Sequence, residues 1–266
     1  MGWIPVRGRH TCCYCLEYRE TLIVFDAGTG IARFDEPRGQ KILNRYDKVL
    51  LLLSHYHLDH VAGLIYIPHF FKDKDVHIAG PGGSIYGKSA EHILTNLITP
   101  PYFSRPLLEF PMKLTCHDLG IGSSKIAGIN IDTILQEHSD PSVGLKIDNM
   151  VCYLTDTICN ESTVDFARNC RLLLHETWFD TQDYTELTRQ SKSSSSSSQA
   201  QKALDSHSAV NQVAEAALRA PVEQLLLIHL NPSYDDKRLL EMERDAREIF
   251  PNSLLAKDGH TLLLDK

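Results

Sequence analysis

A run of four leucines, Leu50–Leu53, leads directly into the sequence SHYHLDH, which holds three histidines and one aspartate. An apolar run of this kind is typical of a buried strand, and residues two apart in extended chain point to the same side. His55 and His57 can therefore bind one ion together. Asp59 and His60 lie on the predicted helical turn that follows and can bind a second ion nearby. Imidazole and carboxylate ligands suit zinc, and iron or manganese are alternatives.

The rest of the chain alternates between apolar strands and helical patterns. The predicted strands are TLIVFD, KVLLLLSH, DVHIAG, MVCYLTD, RLLLHE and EQLLLIHL. The predicted helices lie near residues 86–98, 161–169, 207–219 and 235–249. This alternation predicts a layered α/β fold, and the continuous apolar strands predict sheets that are buried on both faces. Polar residues follow most of these strands, which is where α/β sheets build their sites.

Four ligands in one turn cannot enclose two ions, so further ligands must come from later strand ends. Three candidates stand there, His138 in LQEHSDPS, Asp156 in YLTDT and His229 in LLLIHLNPS. We predict that His138 completes the first metal site and that His229 completes the second. Asp156 is predicted to bridge the two ions, because a carboxylate has two oxygens.

The sequence HYHLDH resembles the HxHxDH motif of the metallo-β-lactamase superfamily, and the three later candidates fall where that superfamily has its later ligands, in the same order. The resemblance extends from FDAGTG to AKDGHTLLL. It implies a four-layer αββα sandwich, with two mixed sheets face to face and helices outside, in a single domain over residues 1–266. It also implies that Asp26 orients the metal-binding loop.

Two further segments, LLLHETW and SHSAVNQVAEAALRA, resemble the HEAT and HST motifs of the ribonuclease Z branch, which includes ribonuclease Z and cyclic-phosphate phosphodiesterases. The match is partial, because the residues that flank the charged and imidazole positions differ. Glu176 and His207 occupy those positions. His175 is either a further functional residue or a histidine buried in its strand, and we do not assign it as a ligand.

The second segment has helical periodicity with Val210, Val213, Ala214, Ala217 and Leu218 on one face. Ser206 is a plausible N-cap, which predicts that His207 lies at a helix N-terminus beside backbone N–H groups that can bind phosphate. Glu176 favours the protonated form of His207, whereas the positive helix end opposes it.

This pattern implies a dinuclear metal-dependent phosphodiesterase. Two divalent ions, zinc first and manganese or iron as alternatives, lower the pKa of a bridging water, and the resulting hydroxide attacks phosphorus. His207 protonates the leaving oxygen, so that Asp59, Glu176 and His207 are the candidate catalytic residues. The alternatives are a transfer-RNA 3′-processing endonuclease, a thioester, lactone or β-lactam hydrolase of the same fold, and a metal-binding protein without turnover.

The interval between His138 and Asp156 is short and predicts only a strand pair, whereas ribonuclease Z often carries there a long Gly/Pro-rich arm that grips tRNA. The net charge of −7 also gives no general attraction to RNA phosphates. We therefore expect a small phosphodiester as substrate, with RNA as the alternative. The resemblance also makes a homodimer reasonable.

The 7 cysteines are odd in number and contain no CxxC pair, which indicates a reducing cytosol rather than a disulfide framework. Cys12, Cys13 and Cys15 could form a metal or redox cluster, but we favour the alternative that Cys13 and Cys15 alternate along a buried strand. The chain shows no signal peptide and no apolar run of about 18 residues, so we expect a cytoplasmic protein without a membrane segment. The Ser-rich stretch predicts a flexible loop over residues 185–205. The first residues, MGWIPVRGRHTCC, contain no predicted strand of the kind with which the family usually opens.

Overall fold

The structure of the protein is a computed structural model, which describes residues 10–193 and 199–264. The described residues divide into two compact units, an N-terminal unit of His10–Asn130 and a C-terminal unit from Ile131 onward. The single domain inferred from the sequence stays a prediction.

The first sheet has five strands in sequence order. They are β1 Tyr14–Tyr18, β2 Thr21–Phe25, β3 Lys48–Leu52, β4 Asp75–Pro81 and β5 Lys113–Leu119. β1 pairs antiparallel with β2, and the remaining neighbours are parallel, so the sheet is mixed. Every residue of β2 is buried, and so are Val49–Leu52 of β3, which confirms that these two strands are buried on both faces.

Strand β1 is absent from the predicted strands that build the sheet, and only a buried strand at Cys13 and Cys15 was expected near it. Its sequence, YCLEY, alternates between half-buried and exposed positions at the sheet edge, so it contains no apolar run that marks a strand. Cys15 lies on its exposed side, whereas Cys12 is buried just before it. The predicted burial of Cys15 is therefore wrong. None of the 7 cysteines, all within the described residues, forms a disulfide.

Short helices cover the core of the N-terminal unit. They are α1 Pro37–Leu43, α2 Leu58–Val61, α3 Ile67–Phe70, α4 Gly83–Tyr86 and α5 Ala90–Leu97, with 3-10 turns at Thr29–Asp35, Ala62–Tyr66 and Leu107–Glu109. Helix α5 confirms most of the predicted helix over 86–98, and the Ser89 hydroxyl caps it by accepting the His92 N–H. Ile31, Leu64 and Leu94 pack with residues of β2 to β4 in one apolar core.

The second sheet has seven strands in the order β12-β11-β10-β9-β8-β7-β6. Their bounds are β6 Gly122–Ile126, β7 Ile129–Gln136, β8 Ser142–Ile147, β9 Val151–Leu154, β10 Leu172–Glu176, β11 Gln224–Ile228 and β12 Ser253–Leu255. Strands β9 to β12 are parallel, whereas β7, β8 and β9 are antiparallel. Both sheets are thus mixed, as predicted, and the short strand pair predicted before Asp156 is the β8–β9 hairpin.

Five helices belong to the C-terminal unit: α6 Glu161–Ala167, α7 Thr181–Ser193, α8 Gln199–Leu204, α9 Val210–Arg219 and α10 Asp236–Ile249. Helices α6, α9 and α10 contribute Val164, Val213 and Met242 to one apolar core with β9, β10 and β11. The predicted helical face of α9 is buried except for Leu218, which is 58% exposed.

Two predictions in this unit need correction. Helices α7 and α8 occupy most of residues 185–205, where we predicted a loop, because the polar residues around the serine run have helical propensity of their own. The remainder of the predicted loop, residues 194–198, lies outside the described residues. Helix α9 begins at Val210 with Ala209 as N-cap, not at Ser206. Asp205 and Ser206 form a turn instead, and Ala209 is extended and forms a parallel bridge with Phe179.

Candidate functional site

The predicted ligands form two groups, one in each unit. In the N-terminal unit the chain leaves β3 and enters α2 within five residues, so that the HYHLDH residues converge as predicted. The rings of His55 and His57 have centroids 4.5 Å apart, and those of His55 and His60 are 4.3 Å apart. Asp59 Oδ2 lies 3.3 Å from His60 Nε2. His55 and His60 are fully buried, whereas Asp59 is exposed.

Asp26, directly after β2, supports this group of residues through hydrogen bonds. Its fully buried carboxylate accepts hydrogen bonds from the backbone N–H of Ser54 (2.7 Å), from the Ser54 hydroxyl (2.8 Å) and from His60 Nδ1 (2.7 Å). His60 therefore carries its lone pair on Nε2. The Ser54 hydroxyl gives its one proton to Asp26, so it accepts from His55 Nδ1 at 3.0 Å. Both histidines thus have the tautomer that a metal ligand through Nε2 needs.

Two glycines let the turn after Asp26 pack against the histidine loop. A Cβ at Gly28 would lie 2.3 Å from the carbonyl oxygen of Asp59, and a Cβ at Gly63 would lie 2.2 Å from the carbonyl oxygen of Gly28. The close approach is fixed by backbone hydrogen bonds from Ala27 N–H to His60 and from Gly63 N–H to Ala27. Backbone packing thus holds the loop in place.

In the C-terminal unit, His138, Asp156 and His229 follow the ends of β7, β9 and β11 and meet as predicted. One carboxylate oxygen of Asp156 lies 3.5 Å from His138 Nε2, and the other lies 3.4 Å from His229 Nε2. His138 Nδ1 donates to the Ser206 carbonyl, which leaves the lone pair of that ring on Nε2. Two oxygens that face two different imidazoles are the arrangement that a bridging carboxylate requires.

Glu176, at the end of β10, is fully buried and organises the neighbouring residues. Its Oε1 accepts the backbone N–H groups of Thr157 (2.8 Å) and Ser208 (3.2 Å), and its Oε2 accepts from His207 Nδ1 (2.9 Å). His229 Nδ1 lies 3.6 Å from the same Oε2. Burial opposes the charge of Glu176, but the two imidazoles outweigh burial and hold its pKa below the ordinary value. The carboxylate is therefore charged and can orient His207.

The predicted phosphate-binding helix end at His207 is wrong. Helix α9 begins three residues later, and the backbone N–H of His207 donates to the Ala203 carbonyl. The N–H of Ser208 is used by Glu176. His207 is thus oriented by a buried carboxylate rather than by a helix N-terminus.

His175 has a structural role. It is buried in β10, and its Nδ1 donates to the backbone carbonyl of Glu176 at 2.8 Å. Burial lowers its pKa, so the ring is neutral. It is not placed among the predicted ligands.

Sequence reasoning missed Trp178. The indole lies parallel to the His207 ring, with centroids 4.6 Å apart and planes 14° apart, and it is tilted against His229 at 5.3 Å. The signal was present in HETW, where the segment departs from the HEAT motif.

Three of the site residues have positive φ. Asp26 (56°), Asp156 (50°) and His229 (47°) each stand at the end of a parallel strand. The left-handed conformation costs a residue with a Cβ about 1–2 kcal/mol. Strain of this kind clusters at functional sites, where the fold maintains it to aim a side chain.

Comparisons with known proteins show the family and the fold of the chain. The family model of the Beta-lactamase superfamily domain matches residues 21–230. Ribonuclease Z of Synechococcus sp. (strain CC9902) is 36% identical over 115 residues, which are 42% of this chain and 31% of that protein. The chain thus spans about a third of the length of the curated relatives it matches.

Solved structures share the fold at low sequence identity. YhfI from Bacillus subtilis, a metallo-beta-lactamase fold protein, is 18% identical with a TM-score of 0.69, over 97% of this chain and 93% of that chain. A diphosphatase from the PhnP family is 14% identical with a TM-score of 0.62, over 98% of this chain and 85% of that chain. These likenesses confirm the predicted metallo-β-lactamase fold. Within the described residues, no helix is long and apolar enough to cross a membrane.

Proposed function

Because the chain belongs to the metallo-β-lactamase superfamily of hydrolases, we propose that it is a metal-dependent phosphodiesterase that binds two divalent ions and acts on a small phosphodiester. The observation that carries the proposal is the pair formed by His207 and the buried Glu176, 2.9 Å apart. A charged carboxylate on Nδ1 stabilises an imidazolium, which can donate its Nε2 proton to a leaving alkoxide. Hydrolysis of a β-lactam or thioester has less need of such a donor.

The proposed metal ligands remain the seven residues predicted from the sequence. They are His55, His57, Asp59 and His60 in the N-terminal unit and His138, Asp156 and His229 in the C-terminal unit. The donor chemistry fits divalent ions, zinc first, because the hydrogen bonds on Nδ1 of three of these histidines direct their Nε2 lone pairs to a ligand. Bound divalent ions would activate water and neutralise the charge that develops on the phosphoryl oxygens.

The side chains of the C-terminal unit have separate roles in the proposed reaction. Glu176 holds His207 Nδ1, so that the proton to be transferred lies on Nε2. Thr155 donates from its hydroxyl to Asp156 at 2.8 Å and so keeps that carboxylate oriented. His207 holds a phosphoryl oxygen in the complex and gives its proton to the departing oxygen, while Glu176 balances its charge.

A small substrate is favoured by the β8–β9 hairpin, which fills the interval between His138 and Asp156 without an arm for RNA. The PhnP-family protein that shares the fold is described as a diphosphatase, which supports a small phosphate compound as substrate. The second candidate function, 3′-processing of transfer RNA, is favoured by the identity with ribonuclease Z. A homodimer also remains a proposal, which the molar mass in solution tests.

A substrate panel tests the proposal. The protein is loaded with Zn²⁺ or Mn²⁺ and given bis(p-nitrophenyl) phosphate, a 2′,3′-cyclic nucleotide, a precursor tRNA, a thioester and a β-lactam. We expect about two metal ions per chain and the highest kcat/KM on one of the small phosphodiesters. Faster cleavage of precursor tRNA would support the second candidate, and faster hydrolysis of the thioester or β-lactam would overturn both.

His207→Ala tests the proton donor. We expect kcat to fall about 100-fold or more while the metal content stays unchanged, because general acid catalysis typically contributes that much. Loss of metal in this variant would show that His207 is a ligand rather than an acid.

A further inference from the structure

We infer that Trp178 is a positioning residue that fixes the ring of His207 for proton transfer, an inference that rests on the proposed function. A histidine that donates a proton must aim Nε2 at one oxygen, and a displacement of 1 Å can cost about 100-fold in rate. One hydrogen bond on Nδ1 leaves the ring able to tilt about the axis of that bond. A flat surface on the ring face removes this freedom.

The indole of Trp178 provides that surface. Its plane is within 14° of the His207 ring, with 4.6 Å between centroids, so the two rings overlap face to face. Glu176 holds Nδ1 of His207 through a hydrogen bond. The rings of His207 and His138 meet edge to face, with centroids 5.3 Å apart. Trp178 therefore prevents the imidazole from tilting out of its plane, and Glu176 fixes the direction of Nδ1 within that plane.

The backbone of Trp178 is anchored independently of its side chain. Its N–H donates to the carbonyl of Ser208 at 3.1 Å, and the N–H of Phe179 donates to the same oxygen. Phe179 then bridges to Ala209, so that the two segments are paired by main-chain contacts. The indole itself is only half-buried. Substitution of the side chain therefore leaves the segment in place and removes the surface against His207, together with the tilted contact with His229, for which the metal content is the check.

A double-mutant cycle tests the inference. With bis(p-nitrophenyl) phosphate and metal-loaded protein, Trp178→Leu should lower kcat about tenfold with little change in KM and unchanged metal content, whereas Trp178→Phe should stay within about threefold. In the His207→Ala background the same Trp178→Leu change should alter kcat less than about twofold, because the residue acts through His207. Equal losses in both backgrounds, no loss in either, or a loss of metal would overturn the inference.

Two further measurements separate this inference from the proposed function. Phe179→Leu removes the neighbouring buried ring and serves as the control, with a lower free energy of unfolding and an unchanged kcat per folded molecule. The ¹⁵N and ¹H resonances of the His207 ring report its mobility without substrate. If no phosphodiester is hydrolysed, the proposed function fails, and Trp178→Leu still tests positioning. Broadened or shifted His207 resonances support the inference, and unchanged resonances overturn it.

Discussion

Replacing Glu176 with glutamine changes one atom in the most buried charged group of the C-terminal unit. The carboxylate accepts three hydrogen bonds, from the N–H groups of Thr157 and Ser208 and from His207 Nδ1. A glutamine can turn its oxygen toward the two backbone donors, but its NH₂ group then faces His207. The NH₂ group of the glutamine and the Nδ1–H of His207 are both donors, so they repel each other unless Nδ1 loses its proton. The variant therefore forces the neutral ring with its proton on Nε2.

The loss can be estimated from these contacts. One hydrogen bond to a charged group contributes about 1.5–3 kcal/mol, and a neutral replacement returns about 0.5–1.5 kcal/mol. Glu176→Gln should therefore lower the free energy of unfolding by about 1–2 kcal/mol, on the basis of that difference. The neutral His207 is a far weaker acid, so kcat should fall about 100-fold or more.

Urea unfolding and steady-state kinetics on the same preparation measure both effects, with metal content as a check because His229 lies near the carboxylate. The matched control is Glu186→Gln on α7, a half-buried glutamate paired with Arg189 and outside the candidate site, where we expect nearly unchanged stability and an unchanged kcat. If Glu176→Gln kept kcat within twofold of the parent protein, the assigned role of the Glu176–His207 pair would be refuted.

Three other substitutions test the remaining contacts. Asp26→Asn should lower metal content and destabilise the N-terminal unit by about 1–3 kcal/mol, because one of three buried donors loses its acceptor. Metal analysis and urea unfolding measure these two effects, and full metal content would contradict the prediction. Gly63→Ala should lower the free energy of unfolding by about 1–3 kcal/mol, and with it the urea midpoint, because the added Cβ would clash with the backbone. The control Gly83→Ala, whose Cβ has room, should leave the midpoint unchanged. Equal midpoints for the two variants would show that the turn can shift to accept the Cβ. Asn160→Ala should cost about 1 kcal/mol in urea unfolding, since its side chain caps α6, and an unchanged midpoint would show that the cap contributes nothing.

The sequence determined the features that depend on local spacing. The apolar run and the two-residue spacing of His55 and His57 predicted a strand end with converging side chains, and the structure has both. The strand-end positions of His138, Asp156 and His229 likewise predicted the second group, because parallel strands bring their ends to one edge. These inferences needed only the period of the strand and the chemistry of the ligands.

Only the tertiary structure decided the surroundings of His207. Helical period alone placed it at a helix N-terminus, but Ala209 is extended and pairs with Phe179, so that the helix begins only at Val210. That pairing, between residues far apart in sequence, brings Trp178 and Glu176 onto the imidazole. Local propensity cannot predict such a contact, because the free energy of the contact comes from segments that meet only in the folded chain. The candidate ligands could therefore be found from the sequence, whereas the contacts that orient His207 are set by the fold.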